Sequence, residues 1–142
     1  MLFKEIEYRS KEWEEAVNLR EKILREPLGS KFSEEELEDE KDHIQIAGFL
    51  NEKLVATAVL VTEGQNMKMQ RVVVTDNLRS KNIGSRLMSF CEQLARDRNI
   101  KIMYCHARNT AVKFYTRNDY QKEGDYFGED GIPHLKMIKN LW

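Results

Sequence analysis

The chain has 142 residues and a formal net charge of -1 at pH 7. A chain of this length is typical of one domain, and we expect residues 1–142 to form a single domain. The near-zero net charge gives no general attraction to nucleic acid or to an anionic membrane surface, so neither is expected as a partner. Hydrophobic residues make up 41% of the chain and charged residues 33%, as in globular proteins.

The sequence carries no signal for secretion or membrane insertion. The first ten residues are too polar for a signal peptide, and no apolar run is long enough to cross a bilayer. The two cysteines, Cys91 and Cys105, are too few for a disulfide framework or a zinc site, so we expect buried free thiols and no metal. Together these features favour a cytoplasmic location.

Apolar periodicity predicts the element order β-α-α-β-β-β-α-β-α-β-β. Strands are expected at residues 2–9, 43–50, 54–62, 67–75, 100–107, 121–127 and 134–141. Helices are expected from Ser10 to Pro27, from Ser33 to about Asp42, from about Lys81 to Arg98, and from Asn109 to Asn118. An antiparallel meander followed by a β-α-β crossover predicts an α/β fold with a mixed sheet and helices on both faces.

The stretch RSKNIGSRLM, residues 79–88, follows a valine-rich strand and begins a helix. A helix N-terminus exposes unpaired N–H groups and a positive dipole end, which favours an anion. Arg79 and Lys81 add positive charge, and Gly84 permits close approach of the backbone. The stretch lacks both the P-loop ending and the three glycines of a dinucleotide fingerprint. Spacing alone therefore leaves two readings open, a phosphate site and an ordinary turn.

Three segments together resemble the GNAT N-acetyltransferase superfamily. The segment VVVTDNLRSKNIGSRLM, residues 72–88, resembles the coenzyme A-binding motif of that superfamily. The matching residues are Val74, Arg79, Ile83 and Gly84. Asp76 replaces a common proline, and Asn82 replaces the first glycine. Asn tolerates a left-handed backbone better than most residues, so we expect Asn82 to adopt the conformation that glycine would supply.

The other two segments lie downstream. HARNTAVKFYTRNDY, residues 106–120, resembles the second motif of the superfamily. Its matching residues are Ala111, Phe114, Tyr115 and Tyr120. Asp119 stands where glycine is frequent. EDGIPHLKM, residues 129–137, resembles a phrase of small, uncharacterised bacterial GNAT proteins, and the element order agrees with the GNAT fold over essentially the whole chain.

The resemblance implies an acetyl-CoA-dependent N-acetyltransferase that transfers an acetyl group to a primary amine of a small molecule or peptide. The amine would attack the thioester directly, and acetyl-CoA would act as co-substrate without a metal. The residues implied in coenzyme A binding are Val72, Val73, Val74, Arg79, Ser80, Lys81, Asn82, Ile83, Gly84, Ser85, Arg108, Asn109 and Phe114. Tyr115 would donate a proton to the departing thiolate, although it also fits a core aromatic position. A homodimer through the last strands is compatible with the pattern.

The general base is left open by the sequence. The candidates are His106, His134, Glu63, Glu129 and a water chain. Cys105 and His106 cannot form a catalytic pair, because neighbours on a strand point to opposite faces.

Two further features have two readings each. The acidic run SEEELEDEKD is either a solvated helix face or an attraction for a cationic amine. Arg20, on the apolar side of the first helix, either pairs with a carboxylate of the acceptor or snorkels, with its stem packed and its charged end in water. The alternatives to an enzyme are a non-catalytic coenzyme A-binding sensor or interaction module and, last, an α/β interaction domain without a cofactor.

Overall fold

The computed structural model describes residues 1–75 and 82–142. Seven strands occur in the described part of the chain. They are β1 (Leu2–Ile6), β2 (Ile44–Leu50), β3 (Lys53–Glu63), β4 (Asn66–Val74), β5 (Ile102–Arg108), β6 (Gln121–Glu129) and β7 (Ile132–Asn140). They form one sheet in the order β1-β2-β3-β4-β5-β7-β6, in which β4 and β5 are parallel and the other neighbours antiparallel. The predicted mixed α/β sheet, with its meander and crossover, is confirmed.

The helices follow the predicted order but differ at their ends. They are α1 (Lys11–Arg20), α2 (Glu34–Glu38), α3 (Ile83–Asp97) and α4 (Val112–Arg117). The Ser10 hydroxyl caps α1, and Ser33 and Glu36 form the predicted capping box of α2. α1 continues as a π-helical turn, Glu21–Arg25, and a 3-10 turn, Glu26–Leu28, before a left-handed Gly29 ends it.

The core lies on both faces of the sheet. Ile46 and Ala47 are neighbours in β2, yet they belong to different apolar clusters, as expected for residues that alternate across a sheet. The Ile46 cluster includes Leu87 of α3 and Tyr115 of α4, whereas the Ala47 cluster includes Trp13 of α1. Helices therefore cover both faces, as predicted. No helix within the described residues has the length and apolar character needed to span a bilayer.

Three boundaries correct the sequence prediction. α2 ends at Glu38 rather than near Asp42, and the helix predicted from Asn109 begins with a 3-10 turn. The connection expected between the last two strands, residues 128–133, is shorter than predicted, because β6 runs to Glu129 and β7 begins at Ile132. Asp130 and Gly131 both have positive φ, of 54° and 72°, which fits a two-residue hairpin turn whose twist matches the flanking strands.

Both cysteines are buried free thiols, as predicted. Burial raises the pKa of Cys105 to about 12 and raises the pKa of Cys91 further still. The two thiols are therefore protonated near neutral pH and have little nucleophilic character.

Candidate active site

A gap opens between β4 and β5. The two strands pair only from Asn66–Met69 with 102–105, although β4 continues to Val74 and β5 to Arg108. The cause lies in β4, which has one residue more than β3 between the pairs Gln70↔Val59 and Val73↔Thr57. The extra residue is accommodated by a bulge at Arg71, whose φ is +54°. The bulge turns the end of β4 away from β5.

This gap forms part of a cleft of about 770 Å³. Seven of the predicted site residues line it: Val72, Val73, Val74, Gly84, Arg108, Phe114 and Tyr115. Val72 has no register partner in β3 or in β5. The cleft therefore brings together the valine strand, the start of α3 and the start of α4, which are far apart in the sequence.

Four of the other predicted cofactor residues, all within the described part of the chain, do not line the cleft. Ile83 is buried in the core, with 3% of its surface exposed, and Asn109 is exposed at the start of a 3-10 turn. Asn82 and Ser85 lie at the start of α3. The predicted contacts of Arg79, Ser80 and Lys81 fall outside the described residues.

Asn82 adopts the predicted glycine-like conformation. Its φ and ψ are 60° and 15°, and its side chain makes no capping hydrogen bond to α3. The Asn82 carbonyl accepts a hydrogen bond from the Arg86 N–H at 3.1 Å, which starts the helix. Asp119, the other departure from a common glycine, also has a positive φ, of 71°. Both substitutions therefore keep the left-handed backbone.

Gly84 is required by a close contact rather than by its φ. A Cβ atom built on Gly84 would lie 2.9 Å from Cε1 and 3.1 Å from Cζ of the Phe114 ring. The ring of Phe114 therefore occupies the space that a larger residue would fill and fixes the distance between α3 and α4 at the cleft wall.

Tyr115 lies at the cleft wall with 6% of its surface exposed. Its ring packs edge-on against Phe114 and Tyr120, with ring centroids 5.1 and 5.6 Å apart. Burial, with a smaller effect of the nearby Cys105 thiol, raises the pKa of the Tyr115 hydroxyl well above its ordinary value. Tyr115 is therefore a proton donor and not a base near neutral pH.

Three of the four candidate bases meet at the sheet edge. Glu129 Oε1 lies 3.0 Å from His106 Nδ1, and Glu129 Oε2 lies 3.6 Å from His134 Nε2. The antiparallel pairing of β5 with β7 and of β6 with β7 brings the side chains to one face. All three residues line the cleft.

The hydrogen bonds define the roles in this cluster. Burial acts to raise the pKa of Glu129, but the hydrogen bond and charge of His106 and the charges of His134 and Lys68 lower it overall. Glu129 is therefore a carboxylate that holds His106 Nδ1. His134 Nδ1 donates to the Ile132 carbonyl at 2.8 Å, because a carbonyl oxygen only accepts.

Glu63, the fourth candidate, lies elsewhere. It is exposed, is not part of the cleft lining, and accepts a hydrogen bond from the Tyr104 hydroxyl at 2.5 Å. Burial and this hydrogen bond raise the pKa of Tyr104 to about 12.

Neither reading of Arg20 is correct. Arg20 Nη2 donates to Glu40 Oε1 at 2.7 Å, and the two side chains are only 1% and 2% exposed. Arg20 is therefore already neutralised inside the protein and is not available to an acceptor. The residues of the acidic run differ in exposure: Glu34 and Glu35 are exposed on α2, whereas Glu40 is buried.

Arg25 and Arg71 are among the cleft residues that the sequence did not indicate. Arg25 of the π-helical turn binds Glu36 through both nitrogens, at 3.1 and 2.6 Å, and this pairing lowers the pKa of Glu36 to about 2. Arg71, at the bulge, lies 3.7 Å from both Glu36 and Glu40. Both guanidinium groups stack on the ring of Phe32, at 4.2 and 4.9 Å.

Comparison with known families agrees with this architecture. The family model described as "Acetyltransferase (GNAT) domain" matches residues 11–141. The chain belongs to the GNAT N-acetyltransferase superfamily. It is 30% identical over 129 residues to the uncharacterized N-acetyltransferase YjcF of Bacillus subtilis, which covers 89% of this chain and 91% of that relative. It is also 29% identical over 104 residues to the protein ElaA of Escherichia coli, which covers 70% and 68% of the two chains.

Solved structures share the fold of this GNAT N-acetyltransferase. Escherichia coli ElaA superposes with a TM-score of 0.82 at 22% identity and covers 99% of this chain and 100% of its own. An aminoglycoside 6'-N-acetyltransferase solved in complex with coenzyme A gives the same TM-score of 0.82 at 17% identity, covering 100% and 98%. Within the described residues, no group of three or more His, Cys, Asp or Glu side chains is placed to hold a metal ion.

Proposed function

We propose that this GNAT enzyme uses acetyl-CoA as donor and transfers the acetyl group to a primary amine of a small molecule or peptide. The observation that carries the proposal is the gap between β4 and β5, with Gly84 and Phe114 in close contact at its wall. Val72 is not paired with a residue of β3, so its backbone N–H and C=O groups are placed to bind the amide groups of an extended ligand such as the pantetheine arm of the donor. The helix α3, which begins at the same wall, favours the phosphates of such a donor.

Acetyl-CoA supplies an activated thioester carbonyl, and the residues of the chain supply the proton transfers. His106 is the proposed base, because Glu129 holds its Nδ1 and leaves Nε2 to accept a proton from the attacking amine. Tyr115 is the proposed acid, because its hydroxyl stays protonated and the residue lines the cleft. As the C–N bond forms and the C–S bond breaks, the amine loses one proton and the leaving sulfur gains one.

The direct test measures binding and transfer separately. Isothermal titration of the protein with acetyl-CoA is expected to show one site per chain, and amine acceptors are expected to release the coenzyme A thiol, followed with a thiol reagent. No binding at high micromolar acetyl-CoA would refute the proposed donor. Binding without thiol release across a broad amine panel would instead support the non-catalytic sensor.

Gly84→Ala is expected to weaken acetyl-CoA binding by about tenfold, since its methyl group must push the Phe114 ring along the cleft wall. The folded state should change little in stability, because alanine favours the helix by about 1 kcal/mol and offsets the close contact. Titration calorimetry and urea unfolding separate the two effects. Gly128→Ala is the matched control, because nothing lies within 4 Å of a Cβ atom there. Equal acetyl-CoA affinities for the two variants would contradict the proposed role of this wall.

A further inference from the structure

Three arginines from three different elements line one part of the cleft. Arg25 comes from the π-helical turn, Arg71 from the bulge of β4, and Arg108 from the end of β5. The π-helical turn also places the Leu24 carbonyl where Arg108 Nη2 donates to it, at 3.0 Å. This hydrogen bond directs Arg108 toward the first helix, beside the other two arginines. The resemblance alone implied a contact of Arg108 with the pantetheine arm.

The described lining of the cleft carries more positive than negative charge. Glu36 is shared between Arg25, at 2.6 Å, and Arg71, at 3.7 Å. Glu40 is bound by Arg20 at 2.7 Å and lies 3.7 Å from Arg71. Among the described residues, no carboxylate lies within ion-pair distance of Arg108. Asp130 and Glu129 also line the cleft without an ion pair to these arginines, but the described lining holds five cationic side chains, including those of Lys68 and Arg117, against three carboxylates.

The contacts of Arg71 and Arg108 agree with an unfilled requirement for an anion. Arg71 Nε makes no hydrogen bond, and the Glu40 carboxylate 3.7 Å from it is also bound by Arg20. Burial lowers the pKa of Arg108, Asp130 opposes that change, and the charges of Arg25 and Arg71 add to it. A guanidinium in such surroundings gains from a carboxylate that offers two coplanar oxygens.

We infer that the acceptor amine carries a carboxylate, which Arg108 binds together with Arg71, while the amine faces His106. This inference rests on the proposed function. His106 and Arg108 lie two residues apart on the same face of β5, so their Cα atoms are ~7 Å apart. That spacing suits an amine and a carboxylate separated by few bonds, as in an amino acid.

The test uses acceptors that differ only in the acidic group. For each of several amino acids, the free acid, its carboxamide and the decarboxylated amine are compared by thiol release at fixed acetyl-CoA. The free acids are expected to have values of kcat/KM about tenfold or more above those of the carboxamides. Robust transfer to carboxamides or decarboxylated amines without this preference would overturn the inference and leave the proposed function intact. The absence of thiol release with every acceptor would count against the proposed transfer itself.

Arg108→Gln is expected to raise KM for the free acid, so that the ratio of kcat/KM for the free acid to kcat/KM for the carboxamide falls from about tenfold or more to about one. Arg108→Lys should restore part of the preference, because it keeps the charge but not the two-pronged geometry. Arg98→Gln is the control, because Arg98 forms an exposed ion pair with Glu5 away from the cleft. Urea unfolding checks that the Arg108 variants are folded. An unchanged acid-to-carboxamide ratio in folded Arg108→Gln would refute the assigned contact.

Discussion

Arg20→Met is expected to lower the free energy of unfolding by about 3–5 kcal/mol, because it leaves the Glu40 carboxylate buried without its partner. The two side chains are 1% and 2% exposed, so water cannot replace the lost hydrogen bond at 2.7 Å. Glu40 Oε2 already has no hydrogen-bond partner, and Arg71 Nε is 3.7 Å away. Movement of Arg71 toward Glu40 would bring the loss to the lower end of that range.

Urea unfolding of three variants tests this explanation. The double variant Arg20→Met with Glu40→Leu should recover most of the lost stability, because it removes both charges together. Arg98→Met should change the unfolding free energy by less than about 1 kcal/mol, since its ion pair with Glu5 is exposed. A double variant as unstable as Arg20→Met alone would show that the loss arises from packing and not from the unpaired carboxylate.

The position of Arg20 shows where sequence reasoning reaches its limit. Helical spacing places Arg20 on the buried side of α1, and the structure confirms that position. The partner lies twenty residues away in an acidic run whose members look equivalent in the sequence. Glu40 lies in the turn after α2, and the path of that turn buries Glu40 while Glu35, on the helix, remains exposed. The prediction of burial was therefore possible, but the prediction of the ion pair was not.

The bulge at Arg71 left a signal in the sequence. In β4, Met67 and Met69 are buried while Lys68 and Gln70 are partly exposed. This alternation predicts a buried apolar residue at position 71, but the residue there is Arg71. An extra residue in an antiparallel strand produces such a break in alternation. The split of β4 from β5 was thus predictable in principle from this one position. The order of strands and helices was predictable throughout, because it depends on local periodicity alone.

The π-helical turn at Glu21–Arg25 left no comparable signal. Its residues continue the helical spacing of α1, and the next helix breaker is Pro27. The turn nevertheless places Leu24 and Arg25 at the cleft. Widened turns of this kind are frequent at functional sites, but their formation depends on tertiary contacts such as the pairing of Arg25 with Glu36. Arg25 could for this reason be identified as a cleft residue only in the folded chain.

Tyr115→Phe is expected to lower kcat by about 100-fold, equivalent to about 2.7 kcal/mol of transition-state stabilisation. The change removes only the hydroxyl that the proposed mechanism uses to protonate the leaving sulfur, while the ring keeps its contacts with Phe114 and Tyr120. The dissociation constant of acetyl-CoA should therefore remain within about threefold of the parent value. Steady-state thiol release and titration calorimetry measure the two quantities.

Tyr120→Phe is the matched control, because Tyr120 is a buried tyrosine in contact with Tyr115 but points its hydroxyl the other way. Its hydroxyl donates to Glu92 Oε2 at 2.9 Å, and Lys139 Nζ donates to the other oxygen of that carboxylate, also at 2.9 Å. Removal of the Tyr120 hydroxyl should lower the free energy of unfolding by about 1–3 kcal/mol, since a buried charged acceptor loses a donor. It should leave kcat nearly unchanged in the folded enzyme. If instead both variants lost similar stability and Tyr115→Phe kept its turnover, Tyr115 would be a core residue and the leaving thiolate would take its proton from another donor.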